Sequence, residues 1–93
     1  MKTPMSAPES VLIADWLARR VADYLVRPAD DIDHTVPLAE LGLDSVAAVG
    51  ICGEIEDEWG LDVDPTIVFD YPAIVDLAAY ITDEVGRQPE WVA

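Results

Sequence analysis

The sequence has little of what most enzymes need for catalysis. Its 93 residues include one cysteine, Cys52, and one histidine, His34. A single thiol excludes an internal disulfide, and this pair is too small a set for a zinc ion. Ser45 stands outside any Gly-x-Ser-x-Gly elbow, and the only histidine, His34, has no second histidine or cysteine with which to form a recognisable catalytic constellation. We therefore exclude hydrolytic and zinc-dependent catalysis, and we expect Cys52 to be a reduced thiol in the core.

Basic residues are also scarce, with five lysines and arginines against 19 aspartates and glutamates and a formal net charge of -14. This charge argues against nucleic acid and anionic lipid surfaces as partners and favours basic proteins. Solubility alone would also explain this charge, and composition does not distinguish partner binding from solubility. The acidic stretches 30–33 and 62–64 begin like calcium loops but lack the glycine and the final glutamate, so no metal site is predicted.

Long apolar runs are missing as well. No segment approaches the roughly 18 apolar residues of a membrane span, and residues 1–10 contain two prolines and no hydrophobic stretch of a signal segment. The sequence therefore predicts a soluble, cytoplasmic protein without membrane partners. The chain length suits one domain with one modest core. Met1 and the short tails favour a free-standing protein, which we expect to be monomeric.

What the sequence does contain is three apolar stripes at helical spacing. The first follows a capping box, Ser6-Ala7-Pro8-Glu9, and ends near Val26. The second begins after Asp44 and ends at Gly60, and the last ends at Gly86. The stripes comprise Ile13, Trp16, Leu17, Val21, Tyr24 and Leu25, then Ala48, Ile51, Cys52, Ile55 and Trp59, and finally Ile74, Leu77, Ala78, Ile81 and Val85.

Two shorter stretches complete the predicted fold. Residues 64–72 favour a short third helix, capped by Asp64 and with Pro65 at its first position. The stretch from Pro28 to Asp44 shows no period and predicts a long ordered loop between helices one and two. We expect an all-α four-helix bundle over residues 6–86, with tails at 1–5 and 87–93. The loop would be packed by Ile32, Val36, Leu38, Leu41 and Leu43.

Trp91, in the second tail, leaves two possibilities open. It could dock on the bundle or on a partner, or it could be disordered, as terminal segments usually are.

Ser45 is the residue on which a function can be built. Without a nearby base it is a poor nucleophile, so it would be a substrate that another enzyme modifies. In the first turn of a helix it is exposed and lies beside unpaired amides that favour a negative group. That effect is about 0.3–1 kcal/mol for one charge, which accommodates such a group but cannot select it. Helix logic alone explains Asp44 and Ser45 sufficiently as cap residues.

The stretch Leu41-Gly42-Leu43-Asp44-Ser45-Val46 resembles the phosphopantetheine attachment site of acyl carrier proteins. The resemblance extends through the first helix, the long loop, the segment Phe69-Asp70-Tyr71-Pro72 and the last helix, and leaves out only the tails. It implies that a phosphopantetheinyl transferase moves 4'-phosphopantetheine from coenzyme A onto Ser45. The thiol of that arm would then hold acyl groups as thioesters. Such a chain is a carrier and not an enzyme, because catalysis belongs to its partners.

The residues around the serine resemble one branch of the carriers. Phe69-Asp70-Tyr71-Pro72, together with Asp44 before Ser45, resembles polyketide-synthase carriers of specialised metabolism more than the Gly-Gly-[His/Asp]-Ser pattern of peptidyl carriers. The resemblance implies an acyltransferase, a ketosynthase or an adenylating or ligase enzyme as partners. An aminoacyl or peptidyl carrier remains an alternative. An unmodified acidic helical adaptor is the alternative from a different class.

The resemblance also places the docking of partners on the second helix, the loop before it and the short third helix, with Leu43, Asp44 and Val46 beside the arm. The two glycines inside the second helix each cost about 1 kcal/mol relative to alanine. Close approach by a partner or by cargo would explain these glycines, and so would neutral sequence drift. Under the first explanation, Gly50→Glu should weaken transfer without unfolding the domain. The exposed face of this helix is predicted to comprise Val46, Ala47, Gly50, Gly53, Glu54 and Asp57.

Carboxylates gather toward the end of the same helix, where the helix dipole disfavours negative charge. This placement suggests a basic partner, but simple solvation of exposed charge explains it as well. The residues are Glu54, Glu56, Asp57 and Glu58.

Overall fold

The computed structural model describes residues 6–87, and their side chains from Ser10 onward. Within this range the only extended pairing is an isolated bridge between Pro37 and Ala73, so the all-α prediction is confirmed. Residues 1–5 and 88–93 of the predicted tails lie outside the described part, as do the side chains of the predicted capping box. Three helices are long, α1 (Ser6–Leu25), α3 (Ser45–Trp59) and α5 (Ile74–Arg87), and two are short, α2 (Leu38–Leu41) and α4 (Ile67–Asp70).

The core forms where the three long helices meet, as their apolar stripes predict. Isoleucine, leucine and valine side chains at helical spacing exclude water from the centre, and burial of such side chains is the main driving force for folding. Tyr24, predicted in the first stripe, is instead 40% exposed. Of the nine large side chains that are fully buried, all but Leu38 lie on these three helices: Ile13, Leu17, Val21, Ile51, Ile55, Ile74, Leu77 and Ile81.

Two half-buried tryptophans close one side of this core. Trp16 of α1 and Trp59 of α3 pack edge to face, with ring centroids 5.7 Å apart and an interplanar angle of 87°. Edge-to-face packing brings the positive edge of one ring against the negative face of the other. Both tryptophans were predicted on the inward stripes, and the contact joins α1 to α3.

The long loop is ordered, as predicted, and it contains two helical turns that the sequence pattern did not indicate. A 3-10 turn spans Ala29–Asp31, and α2 follows. Ile32, Leu38 and Leu43 are buried. The loop is tied to the last part of the chain by the Leu38 amide, which donates to the Pro72 carbonyl at 2.7 Å. Turns this short produce no hydrophobic period, which is why the sequence did not show them.

The end of α1 has an unusual residue at a position that glycine normally takes. Val26 has a φ of 56° in the left-handed region, and the Arg27 amide donates to the Ala22 carbonyl at 3.0 Å. This is the hydrogen bond of a Schellman motif, whose left-handed residue is usually glycine. A β-branched side chain in this conformation is strained.

The short helix α4 begins later than predicted. The Asp64 carboxylate accepts hydrogen bonds from both the amide and the hydroxyl of Thr66 at 2.9 Å. These bonds close a turn that contains Pro65, so the helix starts only at Ile67. Asp64 therefore stabilises the approach to the helix and is not its cap. Within α4 only Ile67 is buried.

No helix among the described residues combines the length and the apolar character that crossing a bilayer requires.

Candidate functional site

Ser45 is the first residue of α3, and its side chain is exposed. Asp44 caps the helix, because its Oδ1 accepts a hydrogen bond from the Ala47 amide at 2.8 Å. The predicted cap is confirmed. The capping bond leaves the amides of Ser45 and Val46 without an acceptor in the helix, since the first turn offers none.

The turn before Ser45 depends on Gly42. This residue ends α2 with a φ of 106°, a conformation that L side chains rarely adopt. Leu43, 8% exposed, then anchors the turn in the core. The Leu-Gly-Leu-Asp-Ser order therefore has a structural explanation. Gly42 reverses the chain, Leu43 fixes it, and Ser45 emerges at the surface on the first turn of α3.

A groove opens beside Ser45 between α2, α3 and α4, with a volume of about 250 Å³. We call it the Ser45 groove. Its walls are almost entirely apolar, and none of the side chains that line it is basic. They include Leu38 and Ala39 of α2, Ala48 and Val49 of α3, and Val68 and Phe69 of α4.

This site fits a group held through a covalent ester. No arginine or lysine side chain lines the groove, so a free phosphate would have only the helix amides to hold it. The exposed Ser45 hydroxyl offers a point for an ester bond instead, next to helix amides that favour negative charge. The Asp44 carboxylate is engaged by the Ala47 amide. An apolar or amphipathic chain leaving Ser45 has the groove immediately beside it.

Three exposed apolar side chains lie at the groove or next to Ser45, since Val49 and Phe69 line the groove and Val46 follows Ser45 on α3. Val46 is 78% exposed, Val49 is 56% exposed and Phe69 is 71% exposed. We call these three residues the Ser45 rim. Val49 and Phe69 were not among the predicted site residues. The exposure of Val49 could have been predicted, because it lies three residues after Val46 on the same helix. The exposure of Phe69 depends instead on how α4 packs.

The predicted exposed face of α3 needs two corrections. Ala47 is only 9% exposed and packs in the core, because one residue along a helix rotates the side chain by about 100° away from Val46. Glu54 is turned toward α1, where its Oε2 accepts a hydrogen bond from the Tyr24 hydroxyl at 2.8 Å. Its Oε1 lies 3.3 Å from a guanidinium nitrogen of Arg20. Glu54 is thus an interhelical contact.

The two glycines of α3 have different surroundings. A Cβ atom at Gly50 would overlap the Tyr24 side chain, whereas a Cβ at Gly53 would meet no atom within 4 Å. The structure shows Tyr24 of the same chain, and not a partner, close to Gly50. Gly50→Glu would therefore displace the Tyr24 side chain, so its effect on transfer would not report on a partner alone. Gly53 and Asp57 are exposed, as predicted.

Two titratable groups near α3 have shifted pKa values. The hydrogen bond to Glu54 raises the pKa of Tyr24, and burial raises the pKa of Cys52. The Cys52 thiol is 6% exposed and unbridged, as predicted for a core cysteine. Since the thiolate is the reactive form, Cys52 is a weak nucleophile. Among residues 6–87, no three histidine, cysteine, aspartate or glutamate side chains converge as metal ligands.

Comparison with known proteins identifies the family. Residues 15–81 match the family model described as phosphopantetheine attachment site. Among curated proteins, the chain is 38% identical over 68 residues to polyketide synthase PksM of Bacillus subtilis (strain 168), which is 73% of this chain. It is 30% identical over 89 residues to the 6-methylsalicylic acid synthase of Aspergillus terreus (strain NIH 2624 / FGSC A1156), which is 90% of this chain. The matches span 2% and 5% of those two proteins.

Solved structures agree with this assignment. A free-standing peptidyl carrier protein from an Acinetobacter baumannii secondary metabolic pathway superimposes with a TM-score of 0.81 at 30% identity, covering 83% of this chain and 96% of that one. The HMG-ACPI domain from the CurA module of Lyngbya majuscula gives a TM-score of 0.78 at 26% identity, covering 91% and 87%. The chain therefore belongs to the phosphopantetheine attachment site family, whose members are carriers of a covalently attached 4'-phosphopantetheine and not catalysts themselves.

Proposed function

We propose that Ser45 carries the 4'-phosphopantetheine arm of this carrier. One observation carries the proposal: within the segment that matches the family, Ser45 stands exposed on the first turn of α3, beside an apolar groove. The Ser45 hydroxyl oxygen bonds to the phosphorus of coenzyme A that bears the pantetheine group, the pyrophosphate bond breaks, and adenosine 3',5'-bisphosphate leaves. Ser45 has no base of its own, so a phosphopantetheinyl transferase must take up the proton.

The chain's own residues prepare this modification without catalysing it. Asp44 fixes the start of α3 and so sets the position of the Ser45 hydroxyl. The free amides of the first turn favour the phosphodiester charge by about 0.3–1 kcal/mol. When bound, the arm supplies a terminal thiol on which acyl groups are held as thioesters.

We place the cargo in polyketide-type specialised metabolism. Support comes from the relatives, which include polyketide synthase PksM and 6-methylsalicylic acid synthases. The partners in this proposal are an acyltransferase that loads the arm and a ketosynthase that receives the acyl group. The carrier acts as a cytoplasmic monomer. The net charge of -14 disfavours association between copies.

The partner surface in this proposal is the Ser45 rim together with Gly53 and Asp57 of α3. The rim is apolar and exposed, and apolar surface gains most from being covered by a partner. Gly53 has no neighbour within 4 Å, so a partner backbone can approach α3 there. Ala47 has no part in this surface because it is buried.

A peptidyl or aminoacyl carrier is the second candidate, because a free-standing peptidyl carrier protein has a closely similar fold. The two candidates differ in the loading enzyme. A polyketide carrier accepts malonyl-type groups from an acyltransferase, and a peptidyl carrier accepts amino acids from an adenylating enzyme. Loading the holo protein with each type of enzyme in parallel distinguishes them.

Intact mass spectrometry tests the attachment site. After incubation with coenzyme A and a broad-specificity phosphopantetheinyl transferase, the chain should gain the mass of one arm. Ser45→Ala should gain none, and the matched control Ser10→Ala should be modified like the unaltered chain. No mass gain in the unaltered chain would favour the unmodified adaptor. A gain that persists in Ser45→Ala would place the arm elsewhere.

A further inference from the structure

The exposed face of α3 is flanked by a different element on each side. Its middle is formed by Val46, Gly53 and Asp57, which steps of about 100° per residue place on one line along the helix. The Ser45 groove and α4 lie on one side of this line, where Phe69 is exposed. The opposite side faces α1. An enzyme that covers Ser45 and Val46 therefore has α4 on one side and α1 on the other.

Tyr24 of α1 supplies the surface on that second side. Its ring carbon Cζ lies 2.8 Å from the place of a Cβ atom at Gly50, and the side chain is 40% exposed. Gly50 follows Val46 by four residues, a spacing that brings Cβ positions on one helix to about 5–6 Å. Along the axis of α3, Gly50 is about 7.5 Å from Ser45. Tyr24 thus occupies the position that a side chain of α3 would otherwise take, one turn from Val46.

The Tyr24 ring is held in this position by Glu54. The Tyr24 hydroxyl donates to Glu54 Oε2 at 2.8 Å, and a guanidinium nitrogen of Arg20 lies 3.3 Å from Oε1. Arg20 also pairs with Asp23 at 2.6 Å, so its charge is engaged within the chain. The phenol oxygen keeps lone pairs for a further donor, and the exposed Asp57 follows Glu54 at the i+3 position. This arrangement suits a basic side chain of a partner.

We propose that Tyr24 contacts the phosphopantetheinyl transferase that modifies Ser45, and that its hydroxyl receives a basic side chain of that enzyme. This inference rests on the function proposed for Ser45. The transferase must bring coenzyme A to the Ser45 hydroxyl, so it has to cover the first turns of α3, where the Tyr24 side chain ends. The net charge of -14 favours a basic enzyme surface. No residue of α1 was predicted on the partner surface.

Two properties of Tyr24 support a direct contact. Its ring is already fixed by Gly50 and Glu54, so little conformational freedom is lost when a partner covers it. A tyrosine also combines apolar surface with a polar tip, which is why this residue type is common at protein interfaces. Together with Phe69 on the other side of α3, it gives the transferase one aromatic contact on each side of Val46.

Cross-saturation nuclear magnetic resonance tests the contact. The Ser45→Ala chain binds the transferase and coenzyme A without reacting, and it is deuterated except at its tyrosine rings. When the aliphatic protons of a broad-specificity transferase are saturated, the Tyr24 signals should lose severalfold more intensity than those of Tyr80. Tyr80 is the internal control, because it stacks on Tyr71 at 4.6 Å and lines a different hollow. Equal losses at Tyr24 and Tyr80 overturn the proposal.

The kinetics of arm transfer, followed by intact mass, test the basic partner. Tyr24→Phe removes only the hydroxyl and should raise the KM of the transferase for the apo chain severalfold, with little change in kcat, because the contact lies away from the reacting atoms. Asp57→Asn should act in the same direction. The matched controls Tyr80→Phe and Asp76→Asn, both on α5, should keep the KM of the unaltered chain.

The outcomes separate this inference from the function proposed for Ser45. If the unaltered chain gains no arm, both are wrong. If it gains the arm and the KM is the same for Tyr24→Phe as for Tyr80→Phe, only the role of Tyr24 is wrong. A rise in KM at Tyr24 with none at Asp57→Asn would overturn the basic character of the contact.

Discussion

Tyr24 of α1 lies directly over Gly50 of α3, with its ring carbon Cζ 2.8 Å from the place where a Cβ atom would stand. The Tyr24 hydroxyl donates to Glu54 at 2.8 Å, and Arg20 lies on the other oxygen of the same carboxylate. Any side chain at Gly50 would push the tyrosine out of this position. The glycine is therefore required by a contact between two helices of the same chain.

Gly50→Ala should show this requirement as an energetic coupling. Alanine gains about 1 kcal/mol of helix propensity, but it displaces Tyr24 and breaks a hydrogen bond worth about 1 kcal/mol. We expect no increase in the free energy of unfolding for Gly50→Ala alone. In a Tyr24→Ala background the same change should stabilise by about 1 kcal/mol. Urea denaturation of the four variants measures this cycle.

Gly53→Ala is the matched control, because no atom lies within 4 Å of its Cβ position. It should stabilise the chain by about 1 kcal/mol whether or not Tyr24 is present. If Gly50→Ala stabilised the unaltered chain as much as Gly53→Ala does, the steric account of Gly50 would be wrong.

Phe69→Asp should slow the transfer of acyl groups between the holo protein and a partner enzyme severalfold. The phenyl ring is 71% exposed on the Ser45 rim, so its removal costs the fold little but removes apolar surface from the partner contact. Transfer kinetics and the midpoint of thermal unfolding measure the two effects separately. Val11→Asp, at a 70% exposed valine on the far end of α1, is the control. Equal transfer rates for both variants would contradict a partner role for the rim.

Val26→Gly should increase the free energy of unfolding by about 1 kcal/mol, because it relieves a left-handed conformation that a β-branched side chain adopts at a cost. Val26→Ala keeps a Cβ atom and should therefore increase the free energy of unfolding by less. Denaturant unfolding of the three proteins measures the difference. A loss of stability in Val26→Gly would show that the valine side chain makes contacts that outweigh the strain.

Thr66→Ala should raise the pKa of Asp64 toward its usual value of 3.8 without reaching it. The hydrogen bond from the Thr66 amide, which lowers this pKa most, remains, and only the hydroxyl contribution is lost. Since the folded pKa lies below the unfolded one, the stabilisation is complete above the usual aspartate pKa and disappears as the pH falls through the lowered value. The free energy of unfolding of the variant should therefore depend less on pH in this acidic range.

Titration of the side-chain carboxyl signals by nuclear magnetic resonance measures the Asp64 pKa. Asp33 is an internal control, because Thr35 donates to it through its amide and its hydroxyl in the same arrangement. Its pKa should not move in Thr66→Ala. An unchanged Asp64 pKa would show that the Thr66 hydroxyl does not bind the carboxylate in solution.

The sequence predicted those features that depend on periodicity and local capping. Ile13, Leu17 and Ile55 are fully buried because a helical repeat of apolar residues reports burial directly. The Asp44 cap and the place of Ser45 in the first turn also follow from local chemistry. These are properties of one segment, so one segment suffices to predict them.

Features that depend on two segments could not be predicted in the same way. The reason for Gly50 lies on α1, and the exposure of Phe69 depends on where α4 packs. Ala47 was misplaced because a boundary between exposed and buried faces is uncertain by one residue when the nearby side chains are small. Such assignments require the relative placement of helices, which no repeat in the sequence encodes.

The weak attachment of α4 has a consequence for the range of cargo that this carrier can hold. One wall of the Ser45 groove belongs to α2, whose Leu38 is buried and hydrogen-bonded to Pro72, whereas the opposite wall is a single helical turn in which only Ile67 is buried. An outward shift of that turn would enlarge the groove while α1, α3 and α5 keep their packing. Size tolerance would then be set by the contacts of Ile67 and the half-buried Val68 with the core, separately from the position of Ser45.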